Sequence, residues 1–221
     1  MRDKILFLST AFLFFLYSLP LALTSEQLAE KIEANYRSFE DISMEFIQLI
    51  ESPVFSDTQK VWGKMYLKNP DRFKIQTEGE VITTNGETLW VFSEKNKQVR
   101  KSLIDQSKRI FKPNQYLYNF RENYLPELSK EQKIENTWFY VLTLSPRKNQ
   151  EKEEEKDQLF VNDLTLWVDK KSFLVRKLKY QDLNDNLVSF IFSKIKTNSK
   201  IKDSEFIFNT PKGIEIVDLT E

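Results

Sequence analysis

Gly63-Lys-Met-Tyr-Leu-Lys-Asn-Pro-Asp-Arg-Phe-Lys-Ile75, followed shortly by Val81-Ile-Thr-Thr-Asn-Gly-Glu-Thr-Leu-Trp-Val-Phe92, reads as strand, turn, strand and hairpin within thirty residues. Asn85-Gly86 separates two runs rich in β-branched and apolar side chains. The dipeptide predicts a tight type I′ hairpin, in which both central residues take φ > 0. Asn69-Pro70-Asp71 ends one strand and opens the next, because proline has no N–H for a ladder and presets a turn. Nothing in the stretch has the makings of a nucleophile, a metal ligand or a phosphate cradle. It predicts wall rather than active site.

Working outward, Thr24 and Gln27 stand at capping-box spacing, and Leu28, Ile32, Tyr36 and Phe39 follow at helical intervals. From Asp41 the period falls to two, with Ile42, Met44 and Phe46 on one face and Ser43 and Glu45 on the other. A sheet begins there. Strands are predicted at about 60–68, 72–77, 80–84, 88–92 and 97–101, a spacing that fits an antiparallel meander and not βαβ units. Residues 102–131 interrupt it. Leu103, Ile104, Ser107, Ile110 and Phe111 have helical spacing, Pro113 is expected to stop that helix, and Leu117, Phe120 and Tyr124 predict another. Strands resume at about 137–145, 158–168, 173–181 and 187–197, with a short piece at 205–209 and a closing one at 213–217. The run 147–158, with four basic residues, five acidic ones and no apolar one, reads as a solvated hairpin loop.

The chain opens with Arg2 and Lys4 before nineteen uncharged residues, Ile5 to Leu23, dominated by Leu and Phe. This is the layout of a secretory signal peptide over residues 1–24, with Pro20 and Ala22 favouring cleavage. An uncleaved anchor is the alternative, since the run approaches a membrane span in length. Cleavage after Thr24 or Ser25 would leave a single mature domain of roughly residues 25–221. That part carries 31 basic and 32 acidic residues, a balance that implies neither nucleic acid nor an anionic membrane as partner.

With no cysteine, an exported chain forms no disulfide and cannot be acylated on an N-terminal cysteine. With no histidine, it lacks the commonest general base and the commonest metal ligand. Its four scattered glycines assemble no phosphate-binding loop. Carboxylates remain for a glycosidase-type pair, but 33 acidic residues on a charged surface single out no such pair. The composition points away from an enzyme, a metal site and a cofactor.

Apolar character is concentrated in large side chains, 18 Phe, 8 Tyr and 4 Trp in a chain of mean hydropathy −0.50. Several strands are apolar on both faces. Leu187, Ile191 and Ile195 alternate with Val188, Phe190 and Phe192, and Trp90 and Phe92 alternate with Leu89 and Val91. An antiparallel sheet with one wet face does not need this. Either both faces are covered, or a curved sheet holds a cavity large enough for a ligand.

Four segments in order carry a resemblance to a known family. Phe39-Glu-Asp-Ile-Ser-Met-Glu-Phe-Ile-Gln48 ends on a Phe-x-Gln; Gly63 to Ile75 has Gly63, Lys68, Pro70 and Phe73 at characteristic spacing; Thr84 to Phe92 contains Asn-Gly-Glu-Thr-Leu-Trp; and Phe206-Ile-Phe-Asn-Thr-Pro-Lys-Gly-Ile-Glu-Ile-Val-Asp218 supplies the ending. With the leader, these make the chain resemble the outer-membrane lipoprotein carrier proteins, soluble periplasmic members of the bacterial lipoprotein-sorting pathway. The resemblance implies an α+β fold, a curved antiparallel sheet forming an incomplete, half-open β-barrel covered by helices. It also implies a monomer without cofactor. Such a protein takes triacylated lipoproteins from an inner-membrane lipoprotein-releasing transporter and delivers them to an outer-membrane lipoprotein receptor. Acyl chains exposed to water cost about 0.8 kcal/mol per CH₂, so a carrier needs a large apolar surface.

On this resemblance the acyl-chain cavity is expected at Phe46, Met65, Leu67, Phe73, Ile75 and Trp90, and the lid region at Ile32, Tyr36, Asn69, Ile110 and Phe111. Asn69 departs from the family pattern, which commonly has a lid-latching arginine before the proline; asparagine is shorter and uncharged. The half-barrel is also similar to the outer-membrane receptor, which is itself a lipoprotein and so needs a cysteine this chain lacks. It is similar as well to periplasmic lipid-sensing regulators, and a lipid- or lipoprotein-sensing regulatory protein is the alternative reading.

Overall fold

The computed structural model describes residues 23–54, 57–107, 110–147, 161, 163–182 and 184–220. The proposed leader, apart from Leu23 and Thr24, and the charged run from 148 to 158 lie outside them. Among the described residues, no helix is long and apolar enough to cross a membrane.

The first helix, α1 (Ser25–Arg37), starts where its caps dictate. The Thr24 hydroxyl accepts the Gln27 N–H and the Gln27 side chain accepts the Thr24 N–H, a complete capping box. Leu28, Ala29, Ile32, Glu33 and Tyr36 form its buried stripe. Six strands follow as a meander: β1 (Asp41–Glu51), β2 (Thr58–Lys68), β3 (Arg72–Thr77), β4 (Glu80–Thr84), β5 (Thr88–Ser93) and β6 (Gln98–Leu103). Two short helices, α2 (Pro113–Leu117) and α3 (Phe120–Asn123), lead to a second meander. Its strands are β7 (Tyr124–Ile134), β8 (Thr137–Pro146), β9 (Leu164–Asp169), β10 (Val175–Gln181) and β11 (Leu187–Thr197), and a last strand, β12 (Glu215–Asp218), closes the chain.

All twelve strands join one sheet in the order β12-β6-β5-β4-β3-β2-β1-β11-β10-β9-β8-β7. Every pairing is antiparallel except β12 with β6. The outermost strands do not pair, so the sheet is a curved, incomplete barrel. Register shifts at Ser43/Glu45, Val175/Lys177 and Leu128/Lys130 mark bulges, which bend and twist the strands they interrupt. The topology dictates what covers the sheet. β6 lies next to one end and β7 at the other, so the segment joining them has to cross the molecule, and it packs over the inner face with α1.

Several local expectations change. The hairpin after β4 is not a two-residue type I′ turn: its loop is Asn85-Gly86-Glu87, and of the three only Gly86 has positive φ, at 101°. Asn85 makes this possible, because its Oδ1 accepts the N–H groups of both Glu87 and Thr88 and builds the turn from the side chain. The helix expected over 103–111 is absent from the described residues: β6 runs to Leu103, and 104–106 turn. Pro113 opens a helix instead of ending one, since a missing N–H costs nothing in a first turn.

Sequence reading missed β7 because Tyr124-Leu-Pro-Glu-Leu-Ser-Lys-Glu-Gln-Lys-Ile134 has charges, a proline and one β-branched residue. An edge strand tolerates these, and charges there discourage further pairing. The strand expected at 158–168 begins at Leu164, and residues 205–209 are not a strand: a 3-10 turn spans Asp203–Phe206.

The inner apolar face is covered throughout and the outer one in part, by different means. The inner face of β1–β3, β5 and β8–β11 contributes to one continuous cluster with α1 and α2. On the outer face Phe92 stacks on Phe208 at 5.6 Å, and Phe206 and Val99 are wholly buried outside the inner cluster. The C-terminal segment therefore folds back as an outer cover. Ile191 faces out and is 38% exposed, whereas Ile195, past the bulge, turns back against the inner cluster.

Candidate functional site

The inner face is built from alternate residues of adjacent strands. Phe46 of β1 lies opposite Gly63 of β2; Met65 and Leu67 of β2 pair with Ile75 and Phe73 of β3. All five apolar residues are buried in one cluster with Phe111 and with Ile32 and Tyr36 of α1, and Ile110 packs against that cluster. Wall and lid residues expected from the sequence thus meet.

Gly63 explains the seat of Phe46. A Cβ there would stand 2.3 Å from Phe46 Cζ and 2.7 Å from the Gln76 carbonyl oxygen, so only glycine lets the ring lie across β2. The ring continues into a stack: Phe46 lies 5.4 Å from Phe190, and Phe111, reaching in from the β6–α2 segment, lies 5.2 Å from Phe190, 5.0 Å from Tyr116 and 6.0 Å from Tyr180. Aromatic pairs at such distances add to the burial of their apolar area. Phe111 is the main insertion of the β6–α2 segment into the inner cluster.

The tyrosines of the interior are uncharged. Burial raises the hydroxyl pKa values of Tyr36, Tyr116, Tyr118 and Tyr180 far above the usual phenol range, and mainly burial pushes Tyr124 up to about 12. All stay neutral at physiological pH. Tyr36 Oη accepts the Val175 N–H at 3.0 Å, tying α1 to β10, and Tyr124 Oη donates to the Val161 carbonyl at 2.6 Å.

A buried carboxylate ties the covering helices together. Glu33 of α1, with its side chain only 2% exposed, accepts the Arg121 N–H at 2.8 Å and Arg121 Nε at 2.9 Å, and pairs with Arg37 at 3.4 Å. Arg37 in turn donates to the Tyr118 carbonyl at 2.8 Å. These bonds join α1 to the α2–α3 segment. Asn69 lies elsewhere in the scheme: its Nδ2 donates to the Phe39 carbonyl at 3.1 Å and pins the β2–β3 turn to the α1–β1 connection.

Trp90 is the expected wall residue that the structure does not bring in. It faces the opposite side of β5 from Leu89 and Val91, which are the residues of that strand in the inner cluster. Strand parity decides this: Phe73 lies opposite Thr84 and Thr84 opposite Leu89, so the inward set on β5 is odd-numbered. Phe190, Phe192, Tyr116 and Tyr180 join the cluster without having been singled out. The alternation in β11 was the available signal for the first two, because Phe192 lies opposite Phe46.

The fold is a half-open antiparallel barrel whose apolar inner face is covered by helical segments. Residues 37–209 match the family model described as outer membrane lipoprotein carrier protein LolA, and the chain belongs to that family. It is 22% identical over 199 residues to the outer-membrane lipoprotein carrier protein of Legionella pneumophila, covering 87% of this chain and 91% of that one. It is also 21% identical over 198 residues to an uncharacterized protein of Methanocaldococcus jannaschii, covering 88% of this chain but only 54% of that protein's length. Among solved structures, an uncharacterized conserved protein from Thermus thermophilus superposes with a TM-score of 0.57 at 9% identity, over 87% of this chain and 98% of that one.

Proposed function

We propose that this protein is a periplasmic carrier that holds the acyl chains of lipoproteins between sheet and lid. In this reading it receives clients from an inner-membrane transporter and hands them to an outer-membrane acceptor, non-covalently and without a catalytic step. Residues 1–24 are a leader, and 25–221 are the working domain. Phe46, Met65, Leu67, Phe73 and Ile75 form the wall, and Ile32, Tyr36, Ile110 and Phe111 the lid. Trp90 is left out of the wall.

One observation carries the reading: the inner apolar cluster is shared between the sheet and the helical segments that cover it, with Phe111 stacked on Phe190 of β11, where an acyl chain would lie. Withdrawing Phe111 would expose apolar strand surface, and an acyl chain replacing it would restore the lost burial at about 25 cal/mol per Å². Membership of the lipoprotein carrier family and the Legionella relative support the same cargo. The test is gel filtration of the mature protein with a lipoprotein in triacylated and unacylated forms. Co-elution with the triacylated form alone is expected. Equal binding of both would overturn the proposal.

A further inference from the structure

We infer that a pocket at the open rim of the barrel binds a free acyl lipid with an anionic head, the head on Arg100 and the chain on the apolar wall beside it. Such a lipid is a second ligand, distinct from the lipoprotein client, and its binding does not depend on that one. The pocket, about 460 Å³, lies between the β6–β12 edge and the segment that leads to α2, and its volume is in the range of small-ligand sites. Val91, Ile110 and Leu219 are its apolar lining. Val91 belongs to the inner cluster and Ile110 packs against it, so the pocket borders the apolar interior. Leu219 is 51% exposed, apolar area that a seated chain would take out of water.

Charge at this rim is sorted by face. Arg100 lies opposite Val91 on β5 and Val217 on β12, on the inner side of the sheet. Lys101, on the outer side, pairs with Asp218 at 2.9 Å. Arg100 has no such partner, and its side chain makes no hydrogen bond or ion pair among the described residues. Glu215, on the same face of β12, accepts from Gln98 at 3.1 Å instead. Glu80 feels the Arg100 charge, but the two form no ion pair, and burial outweighs that charge and raises the Glu80 carboxyl above its usual range. No carboxylate is among the described lining residues. The Ser102 and Ser107 hydroxyls are bonded to each other at 2.8 Å, which leaves the Arg100 guanidinium and the Gln106 amide as the uncommitted donors of the pocket. A guanidinium presents five donors in a fork that matches a carboxylate or a phosphate. An unpaired cation beside an apolar lining therefore complements an anion carried on a hydrocarbon chain.

The experiment titrates the mature protein, below micelle-forming concentrations, with two pairs of single-chain lipids: palmitate with methyl palmitate, and palmitoyl lysophosphatidylglycerol with palmitoyl lysophosphatidylcholine. The anionic member of at least one pair is expected to bind about tenfold more tightly, with the preference shrinking as salt rises. A preference confined to the first pair assigns a fatty acid, and one confined to the second a phospholipid head; either supports the site. In Arg100→Gln, checked for an unchanged urea midpoint, the preference should vanish while the member without net charge still binds. Leu219→Ser should weaken both members of the pair alike. Equal affinities within both pairs in the wild type would overturn the inference, as would binding of none of the four lipids. So would a preference that survives in Arg100→Gln, or full affinity in Leu219→Ser. None of these outcomes bears on co-elution with triacylated lipoprotein, so the carrier reading stands or falls separately.

Discussion

Gly63 and Phe46 form a pair whose meaning only the register reveals. In sequence, Gly63 opens a run of alternating residues and weakens a strand; in the sheet it is the floor on which the Phe46 ring rests. Gly63→Ala should therefore lower stability by about 1–3 kcal/mol, the usual range for overpacking, read as a fall in the urea midpoint at unchanged slope. The Gln76 backbone oxygen also stands in the way of the new methyl, so trimming Phe46 would relieve only part of the loss. Asn69 was legible as a departure from the family pattern, but its actual partner was not. Phe39 lies thirty residues away in sequence and reaches it only because β1 and β2 pair.

Elements divide into those fixed by local chemistry and those fixed by their neighbours. α1 was readable from its capping box and stripe, and β2 to β6 from turns and alternation. The helix expected around Leu117, Phe120 and Tyr124 is in fact two, α2 and α3, with Tyr124 already in β7, because helices of five and four residues have too few turns for their bounds to show. Contacts hold them in place, with Glu33 at the centre. Glu33→Gln keeps the side chain's shape but removes the charge shared by Arg37 and Arg121, both partly exposed at 44% and 29%. We expect a loss of about 1–3 kcal/mol, since the arginines regain some hydration. Faster amide hydrogen exchange over 113–123, with β1–β5 unchanged, would distinguish a loosened lid from a general loss of stability.

At the scale of the molecule, the chain's two ends cover opposite faces of the sheet, α1 inside and the C-terminal segment outside. Besides buried Phe206 and the β12–β6 pairing, surface ion pairs hold that outer cover. Asp203 meets Lys68 and Arg72 at 2.8 and 2.9 Å, and Asp218 meets Lys101 at 2.9 Å. Hydrogen bonds from Lys68 and Arg72 and their charges hold the Asp203 carboxyl below its usual range, and bonds from Thr220 and Lys101 bring Asp218 down to about 2. A carboxyl depressed in the folded state stabilises it fully above its unfolded pKa, near 4, and ceases to do so as pH falls through the folded value. Between about pH 4 and pH 2 the segment from 203 to 219 should detach first, with its amides losing protection while those of β1 and β11 keep theirs. Simultaneous loss everywhere would mean that the outer cover and the inner cluster are one cooperative unit.

The sequence by itself determined the period of each strand in the first meander, the capped first helix and the family, because these depend on neighbours within a few residues and on motif order. Tertiary structure alone decided which apolar face looks inward, which strand closes the edge and what holds the lid. A strand's parity is set by its partner's register, as Trp90 shows, and an edge strand such as β7 needs no apolar face to announce it. The latch at Glu33 spans 88 residues of chain, a contact that no local pattern encodes.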